Sequence, residues 1–467
     1  MIRFLSKGKK NKKVCLNETF PWLNSIEKNK LEQKKEKFSS RLKDFKKSDN
    51  YVKTDSWKDL LIEFKAGLLE AGYPKYAADL ELELLAELFN PDTINSIFSN
   101  PSNSFYKSIE NDVFVDEQKF SVNYRFMRSP KGLVFIVGSS NTILPVILAI
   151  MLSYLCGNIT VVQLSNLHQK IIPNFFNRLP HFKKNCIYFT NLDQGVDNDR
   201  DQLTDLISTV DWDIINVWGG EEANDFYYST SRNNKYRPKV LTMEPLTGVT
   251  LIQAKYLKEN RGVLAKDLAE AITIMGQQLC SSPTEGYIIG DIEEPLRREF
   301  FLELIKQIEE NYQFHNTAEA NAIKLDRALT KANDSGSRVY TSQKYGSLIS
   351  IINSDDQSFF IKTDLDINLS IHNRNNFLEL ININSFENAY ETVSQISDKV
   401  THDQIKKIQT ILVFGDKDFW TEAINLAKVV GAYRVIDLNY VLKRHPFEPL
   451  DGIHLIEEFT YPIAILD

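Results

Sequence analysis

Residues 133–163, LVFIVGSSNTILPVILAIMLSYLCGNITVVQ, carry no charged side chain, and how this run divides decides the fold. Taken whole, it is apolar enough to be mistaken for a membrane span. The polar insert Gly138-Ser139-Ser140-Asn141-Thr142 argues otherwise. It cuts the run into a five-residue strand, Leu133–Val137, and a helix, Ile143–Leu155, of about 13 residues, too short to span a bilayer. Ile159–Leu164 then reads as a second buried strand. A strand entering a polar turn, a buried helix and another strand make one βαβ unit of a parallel sheet.

Working outward, the alternation continues. Lys170–Leu179 reads as a helix, Cys186–Thr190 and Asp213–Trp218 as strands, and Val240–Met243 with Gly248–Gln253 as a further strand pair. A second alternating block follows: helix Leu264–Met275, strand Gly286–Gly290 and the amphipathic helix Pro295–Tyr312. Strand-like runs lie at Leu348–Ile352, Phe359–Lys362, Leu378–Asn382, Thr410–Phe414 and Arg434–Leu438, with helices at Phe386–Ile396 and Lys417–Val430. Upstream, Ser56–Phe89 is helical with a break at Gly72-Tyr73-Pro74, and Asn90–Ser104 is a connector. The pattern predicts two α/β lobes behind a helical N-terminal segment.

The chain has 467 residues, of which 43% are hydrophobic and 25% charged, which excludes wholesale disorder, a collagen-like fibre and a disulfide-stapled miniprotein. The net charge of −7 hides a split. Residues 1–50 hold 15 Lys/Arg against 6 Asp/Glu, a charge of +9, so the remaining 417 residues carry −16. The leader reads as a basic, partly disordered and solvated tail, or as a docking arm for an acidic partner. Its cluster Lys7, Lys9, Lys10, Lys12 and Lys13 has no interleaved aromatics, so no RNA or DNA binding is expected. Four scattered cysteines form no C-x-x-C pair, and the seven histidines do not bracket them at zinc spacing. That usage fits a reducing cytoplasm without a bound metal. No apolar core of a secretory signal and no transmembrane segment are read from the sequence.

Neither a Walker phosphate loop nor a G-x-G-x-x-G is present. Two constellations carry chemistry instead. In Gly276-Gln277-Gln278-Leu279-Cys280-Ser281-Ser282-Pro283, Cys280 stands at a helix-to-strand junction, where a thiolate could attack a carbonyl. By itself such a cysteine reads equally as a small buried apolar residue. Asn141 lies in the turn between a buried strand and a helix, where its amide could donate to an oxyanion, or simply cap the helix.

Together these segments resemble the aldehyde dehydrogenase superfamily in order and spacing. Ser129-Pro130-Lys131-Gly132-Leu133 leading to Asn141 resembles the family's Pro-x-Gly strand and oxyanion Asn. Gly157-Asn158-Ile159-Thr160-Val161-Val162 is similar to its Gly-Asn-x-x-Val strand, Trp218-Gly219-Gly220 to its Thr-Gly-Ser turn, and Met243-Glu244-Pro245 to its Leu-Glu-Leu general-base motif. Gly276-Gln277-Gln278-Leu279-Cys280 resembles Gly-Gln-x-Cys. Within the superfamily the chain looks most like the luminescence-type (LuxC family) acyl-CoA reductases, on Trp218-Gly219-Gly220-Glu221-Glu222-Ala223, Gln277-Gln278-x-Cys280-Ser281-Ser282-Pro283 and Asp451-Gly452.

The resemblance implies two Rossmann-type parallel-sheet lobes. Residues 51–255 would form the helical segment with the nicotinamide-binding lobe, and 256–442 the catalytic lobe. Residues 443–467 would be a segment for oligomerisation or for return to the cofactor lobe. It implies NADPH-dependent reduction of an acyl-CoA or acyl-carrier-protein thioester to an aldehyde through acyl-Cys280, with NADH as a second cofactor choice. Asn141 would hold the oxyanion, and Ser139, Gln163, Ser165, Asn166, Gly219 and Gly220 would contact the cofactor. A homo-oligomer and a partner acyl-transfer enzyme are further expectations. Gln163 replaces the usual lysine and Asn166 the carboxylate of NAD-preferring members, the second change removing repulsion of a 2′-phosphate. Glu221 and Glu222, beside the diphosphate turn, are expected to face solvent or a lysine. Glu244 keeps a second chemistry open, hydrolytic NAD(P)-dependent aldehyde oxidation with Glu244 as base. A non-catalytic carrier-binding scaffold is the third alternative.

Overall fold

The computed structural model describes residues 16, 19–26, 29, 40–41, 44–45, 51–90, 92–93, 113–115, 124–180, 182–192, 195–243, 246–277, 279–311, 329, 337–341, 348–353, 377–398, 408–441, 443–444 and 448–466. Contacts divide the chain into one unit of residues 1–244 with 445–467 and another of residues 245–444.

In the first unit, helices α1 (Asp55–Glu70) and α2 (Lys75–Leu88) precede strands β1 (Val113–Val115) and β2 (Tyr124–Pro130). Then come β3 (Leu133–Val137), α3 (Leu144–Leu155), β4 (Ile159–Gln163), α4 (Ile171–Arg178) and β5 (Ile187–Thr190). The series continues through α5 (Asp197–Thr209), β6 (Ile214–Trp218), α6 (Glu221–Arg232) and β7 (Lys239–Met243). Strands β3 to β7 form a five-stranded sheet in the order β5-β4-β3-β6-β7, parallel throughout. Every residue of β3 and β4 is buried, which is why these strands are continuous apolar runs rather than alternating ones. At 1.5 Å per residue α3 is about 18 Å long, short of a bilayer's hydrocarbon thickness. Among the described residues no helix is long and apolar enough to cross a membrane.

The second unit holds β8 (Thr247–Gln253), α7 (Ala254–Thr273), β9 (Pro283–Ile289), α8 (Glu294–Asn311), β10 (Ser337–Thr341) and β11 (Leu348–Asn353). After them come β12 (Phe377–Ile383), α9 (Phe386–Asp398), β13 (Ile408–Phe414), α10 (Lys417–Val430) and β14 (Arg434–Asp437). Its sheet runs β10-β11-β12-β9-β8-β13-β14, with only the β10 edge antiparallel. The helix α11 (Leu455–Phe459) and strand β15 (Thr460–Leu466) belong to the first unit, where β15 pairs antiparallel with β2. Asn158 ties this return down: its Nδ2 donates to Phe459 O at 3.0 Å and its Oδ1 accepts from Gly132 N at 2.9 Å.

Several expectations need correction. Val240–Met243 and Gly248–Gln253 are not a strand pair; β7 is an edge strand of one sheet and β8 an interior strand of the other. Two helices went unread, α5 and α6, because their sequences are polar and bury few residues, Leu203, Leu206 and Ile207 in α5. The described part of the basic leader is not a solvated tail. Leu16, Phe20, Leu23 and Ile26 are buried in the first unit's core, against residues such as Trp212 and Val217. Arg41 is 1% exposed and donates to Tyr154 O at 3.0 Å and Asn158 O at 2.7 Å. The apolar spacing of 16, 20, 23 and 26 is helical, but Pro21 interrupts it and lysine-rich sequence flanks it on both sides. Lys7 to Lys13 and the Phe359–Lys362 run lie outside the described residues.

Candidate active site

In the five-stranded sheet the strand order reverses between β3 and β6, and ligands of open α/β sheets bind outside the carboxyl ends of strands at such a point. The ends are level: Val137 of β3 pairs with Gln163 of β4 and with Val217 of β6. The turn after β3 therefore opens beside the Trp218-Gly219-Gly220 turn after β6 and the Leu164–Asn166 segment after β4. Ser139, Asn141, Gln163, Ser165, Asn166, Gly219 and Gly220 all lie along this edge.

The Gly138–Ile143 turn is held from several sides. Gly138 N donates to Gln163 O at 2.9 Å, and Ser139 Oγ donates to Thr142 O at 3.0 Å. Beneath it sits Glu81, buried on α2, whose Oε1 accepts from Thr142 Oγ1 at 2.5 Å and from Ile143 N at 3.4 Å. Its other oxygen, Oε2, is buried without a hydrogen bond. Burial pushes the Glu81 carboxyl up to about 7, with the Thr142 hydroxyl and the Ile143 and Leu144 N–H groups pulling the other way. His168, also buried, meets Tyr73 Oη through Nε2 at 2.7 Å. Burial lowers the imidazole to about 4, against a hydrogen bond with the Ser139 backbone. Asn141 itself is half-buried.

Along this edge two polar side-chain atoms are buried without a hydrogen-bond partner. Gln163 is buried; its Nε2 donates to Leu192 O, while Oε1 has no partner. Ser165 Oγ is likewise buried and unpartnered, and Asn166 is exposed. A Cβ on Gly219 would come within 2.7 Å of Ala223 Cβ, so only glycine lets this turn close onto α6. Glu221 and Glu222 form the first turn of α6, Glu222 exposed and Glu221 half-buried, where carboxylates favour the helix N-terminus.

Cys280 belongs to the second unit, in the loop entering β9. The loop's approach is contorted: Met275, Gly276 and Gln277 have φ of 46°, 62° and 63°, left-handed conformations that cost two non-glycine residues energy. Gln277 is fully buried and fixes the loop through Nε2, which donates to Pro283 O at 2.7 Å. Ser282 N donates to Leu279 O at 3.0 Å, closing a turn with Cys280 inside it. A Cβ on Gly248 would lie 2.5 Å from Ser281 O, so β8 packs directly under this turn. Cys280 is half-buried, and its sulfur accepts from Gln409 Nε2 at 3.0 Å. Cys156 and Cys186, by contrast, are buried.

Glu244 and Gln278 lie outside the described residues. Two residues were missed in the sequence. Gln409 is the lone amide at the head of an apolar strand, IQTILVF, a weak signal. Glu81 had a stronger one, since Ala77, Ala78, Glu81, Leu85 and Leu88 share one buried helical face. Among the described residues no cluster of His, Cys, Asp and Glu could hold a metal.

The chain matches the family described as Acyl-CoA reductase (LuxC) over residues 56–461. No curated protein matches it. The solved structures it resembles include aldehyde dehydrogenases. A NAD-dependent benzaldehyde dehydrogenase from Corynebacterium glutamicum is 13% identical, covering 97% of this chain and 90% of that one, with a TM-score of 0.67. The aldehyde dehydrogenase KauB from Pseudomonas aeruginosa is 12% identical, with coverages of 100% and 91% and a TM-score of 0.69. A NAD-dependent aldehyde dehydrogenase from Sinorhizobium meliloti is 12% identical, with coverages of 97% and 87% and a TM-score of 0.71. At such identities the likeness concerns the fold, which is aldehyde dehydrogenase-like with two parallel-sheet lobes, as the sequence led us to expect.

Proposed function

Because the chain belongs to the acyl-CoA reductase (LuxC) family, an oxidoreductase family acting on acyl groups, we propose that it reduces an acyl thioester of coenzyme A or a carrier protein to an aldehyde, with Cys280 as nucleophile and NADPH as reductant. The observation that carries this reading is the sulfur of Cys280, half-buried on a strained loop with an amide donor 3.0 Å away. Cys156, by contrast, is a fully buried thiol whose pKa burial drives up.

In this mechanism the Cys280 thiolate attacks the thioester carbonyl carbon, and the π electrons move onto oxygen. Asn141 is assigned the donor role towards that oxyanion, worth about 3–4 kcal/mol for one such group. Collapse re-forms the carbonyl, expels the carrier's thiolate and leaves an acyl-Cys280 thioester. A nicotinamide cofactor, NADPH in this reading, would when bound supply the hydride that takes this acyl group to the aldehyde level. Cys280 then departs as thiolate and the aldehyde is free. The unpartnered Gln163 Oε1 and Ser165 Oγ are assigned to cofactor hydroxyls. The exposed amide of Asn166, in place of a carboxylate, favours the 2′-phosphate of NADPH. The NAD-dependent dehydrogenases that share the fold support a nicotinamide in general.

The test incubates purified protein with acyl thioesters of several chain lengths and NADPH, following absorbance at the nicotinamide band and trapping aldehyde. Aldehyde formation lost in Cys280→Ser supports the reading. NADPH left intact by every donor, while NAD(P)+ is reduced in the presence of aldehydes, sinks it in favour of oxidation.

A further inference from the structure

Strand β13 is irregular where it begins. Its register against β8 jumps between Ile408, opposite Thr247, and Thr410, opposite Gly248, so Gln409 is the extra residue of a bulge. Bulges re-aim the side chain they carry and recur next to active sites. Here the backbone stays anchored, since Gln409 O accepts from Tyr433 N at 3.1 Å, while the side chain is buried to 1% exposure and reaches the Cys280 loop. Its amide has two different neighbours. Thr410 Oγ1 donates to Gln409 Oε1 at 3.2 Å, which leaves Nε2, the donating end, for Cys280 Sγ at 3.0 Å. The loop meets this arrangement from the other side, pinned by Gln277 to Pro283 O and by Ser281 Oγ, which donates to Val441 O at 3.3 Å.

We propose that Gln409 is a catalytic residue, a fixed amide donor that favours the thiolate of Cys280. The inference rests on the reading of Cys280 as the nucleophile and deepens it. A neutral donor hydrogen-bonded to a sulfur stabilises the charged form over the thiol. When the carbon–sulfur bond forms, that charge leaves the sulfur; when acyl-derived product departs, it returns to the sulfur. The Gln409 amide thus assists both ends of the cycle, raising the thiolate fraction before attack and stabilising the leaving thiolate. Nucleophilicity falls only by a fraction of each unit of pKa, so the net effect near neutral pH is a faster thiol. Glutamine suits the task because it holds no charge of its own. A carboxylate at 409 would repel the thiolate, and an aliphatic side chain would leave it without a donor.

The experiment measures the rate of iodoacetamide alkylation of Cys280 in the full-length protein against pH, read peptide by peptide by mass spectrometry. Gln409→Leu and Gln409→Glu are compared with the unsubstituted chain. In Gln409→Leu the midpoint of the profile should rise by about one pH unit, and the smaller thiolate fraction, partly offset by a more nucleophilic thiolate, should slow the reaction near neutrality by roughly three- to fourfold. In Gln409→Glu, which keeps the shape and the Thr410 contact, it should rise further. Superimposable profiles for Gln409→Glu and the unsubstituted chain overturn the proposal. If Gln409→Leu does not fold, the isosteric Gln409→Glu decides alone. No thioester enters this assay, so the two readings fail separately. A shifted profile without reductase activity removes only the proposed function, and reductase activity with an unshifted profile removes only the role of Gln409.

Discussion

The hydroxyl of Thr142, in the turn that carries Asn141, donates at 2.5 Å to the carboxyl of Glu81, buried on the apolar face of α2. A carboxylic acid thereby supports the N-terminal end of α3 from below, with its second oxygen unpartnered.

This carboxyl sets the alkaline side of stability. With a folded pKa raised to about 7, the native state keeps a proton that the unfolded state releases from about pH 4.5 upward. Stability from this group is full below that point and is lost as pH rises to 7. Glu81→Gln, neutral at every pH, should match the parent near pH 4.5 and exceed it by up to about 3 kcal/mol at pH 8. Urea titrations at the two pH values check this; an unchanged difference between them contradicts it.

His168 works in the opposite direction. Its pKa is lowered to about 4, so the folded protein holds a neutral imidazole while the unfolded chain takes up a proton below about 6.5. Stability is full above 6.5 and falls as the pH drops towards 4. His168→Gln, which can still accept from Tyr73, should flatten this acid limb of the melting temperature, read by calorimetry between pH 7 and 4.5.

Two glycines should respond with opposite signs. In Gly248→Ala the new Cβ meets Ser281 O at 2.5 Å and Ser282 O at 2.8 Å, so backbone must move, at a cost of about 1–3 kcal/mol. The displaced turn should also change the alkylation rate of Cys280. Gly262 is exposed on α7, and a Cβ added there would have nothing within 4 Å. Gly262→Ala should stabilise by about 0.5–1 kcal/mol in the same denaturant titrations.

Arg41 tests whether the described leader residues matter to the fold. Its guanidinium lies 4.7 Å from the centre of the Tyr154 ring and donates to two backbone oxygens and to Cys186 Sγ at 3.4 Å. Arg41→Ala should cost about 3 kcal/mol in denaturant titration. An arginine in a solvated tail would leave stability within about 0.5 kcal/mol.

Much of the fold was legible because β3, α3 and β4 write their burial directly into composition: a sheet covered on both faces admits only apolar runs. Legibility failed where the local pattern is weak. Helices α5 and α6 are polar over most of their length, and β2 finds its partner β15 more than 300 residues away. The candidate site divides the same way. Cys280 and Asn141 stand at junctions of elements, and it was the resemblance of their flanking segments to a known family that singled them out. Gln409 acquires its position from a bulge and a neighbouring threonine, neither of which has a sequence signature. Glu81 could have been read, since a carboxylate in step with Ala77, Leu85 and Leu88 is out of place on an exposed-face reading.

The pairing of β15 with β2 also orders events during synthesis. The first unit is interrupted by the whole of the second, so β2 waits for a partner made about 330 residues later, on the order of tens of seconds at ribosomal rates. Phe459 O, which receives both Asn158 Nδ2 and Lys131 N, arrives in that same late stretch. The unit that begins first on the ribosome is therefore completed after the unit inserted into it. Through that interval its strand edge at β2 stays open on the β15 side, the period in which a nascent chain of this protein most needs protection from wrong pairing.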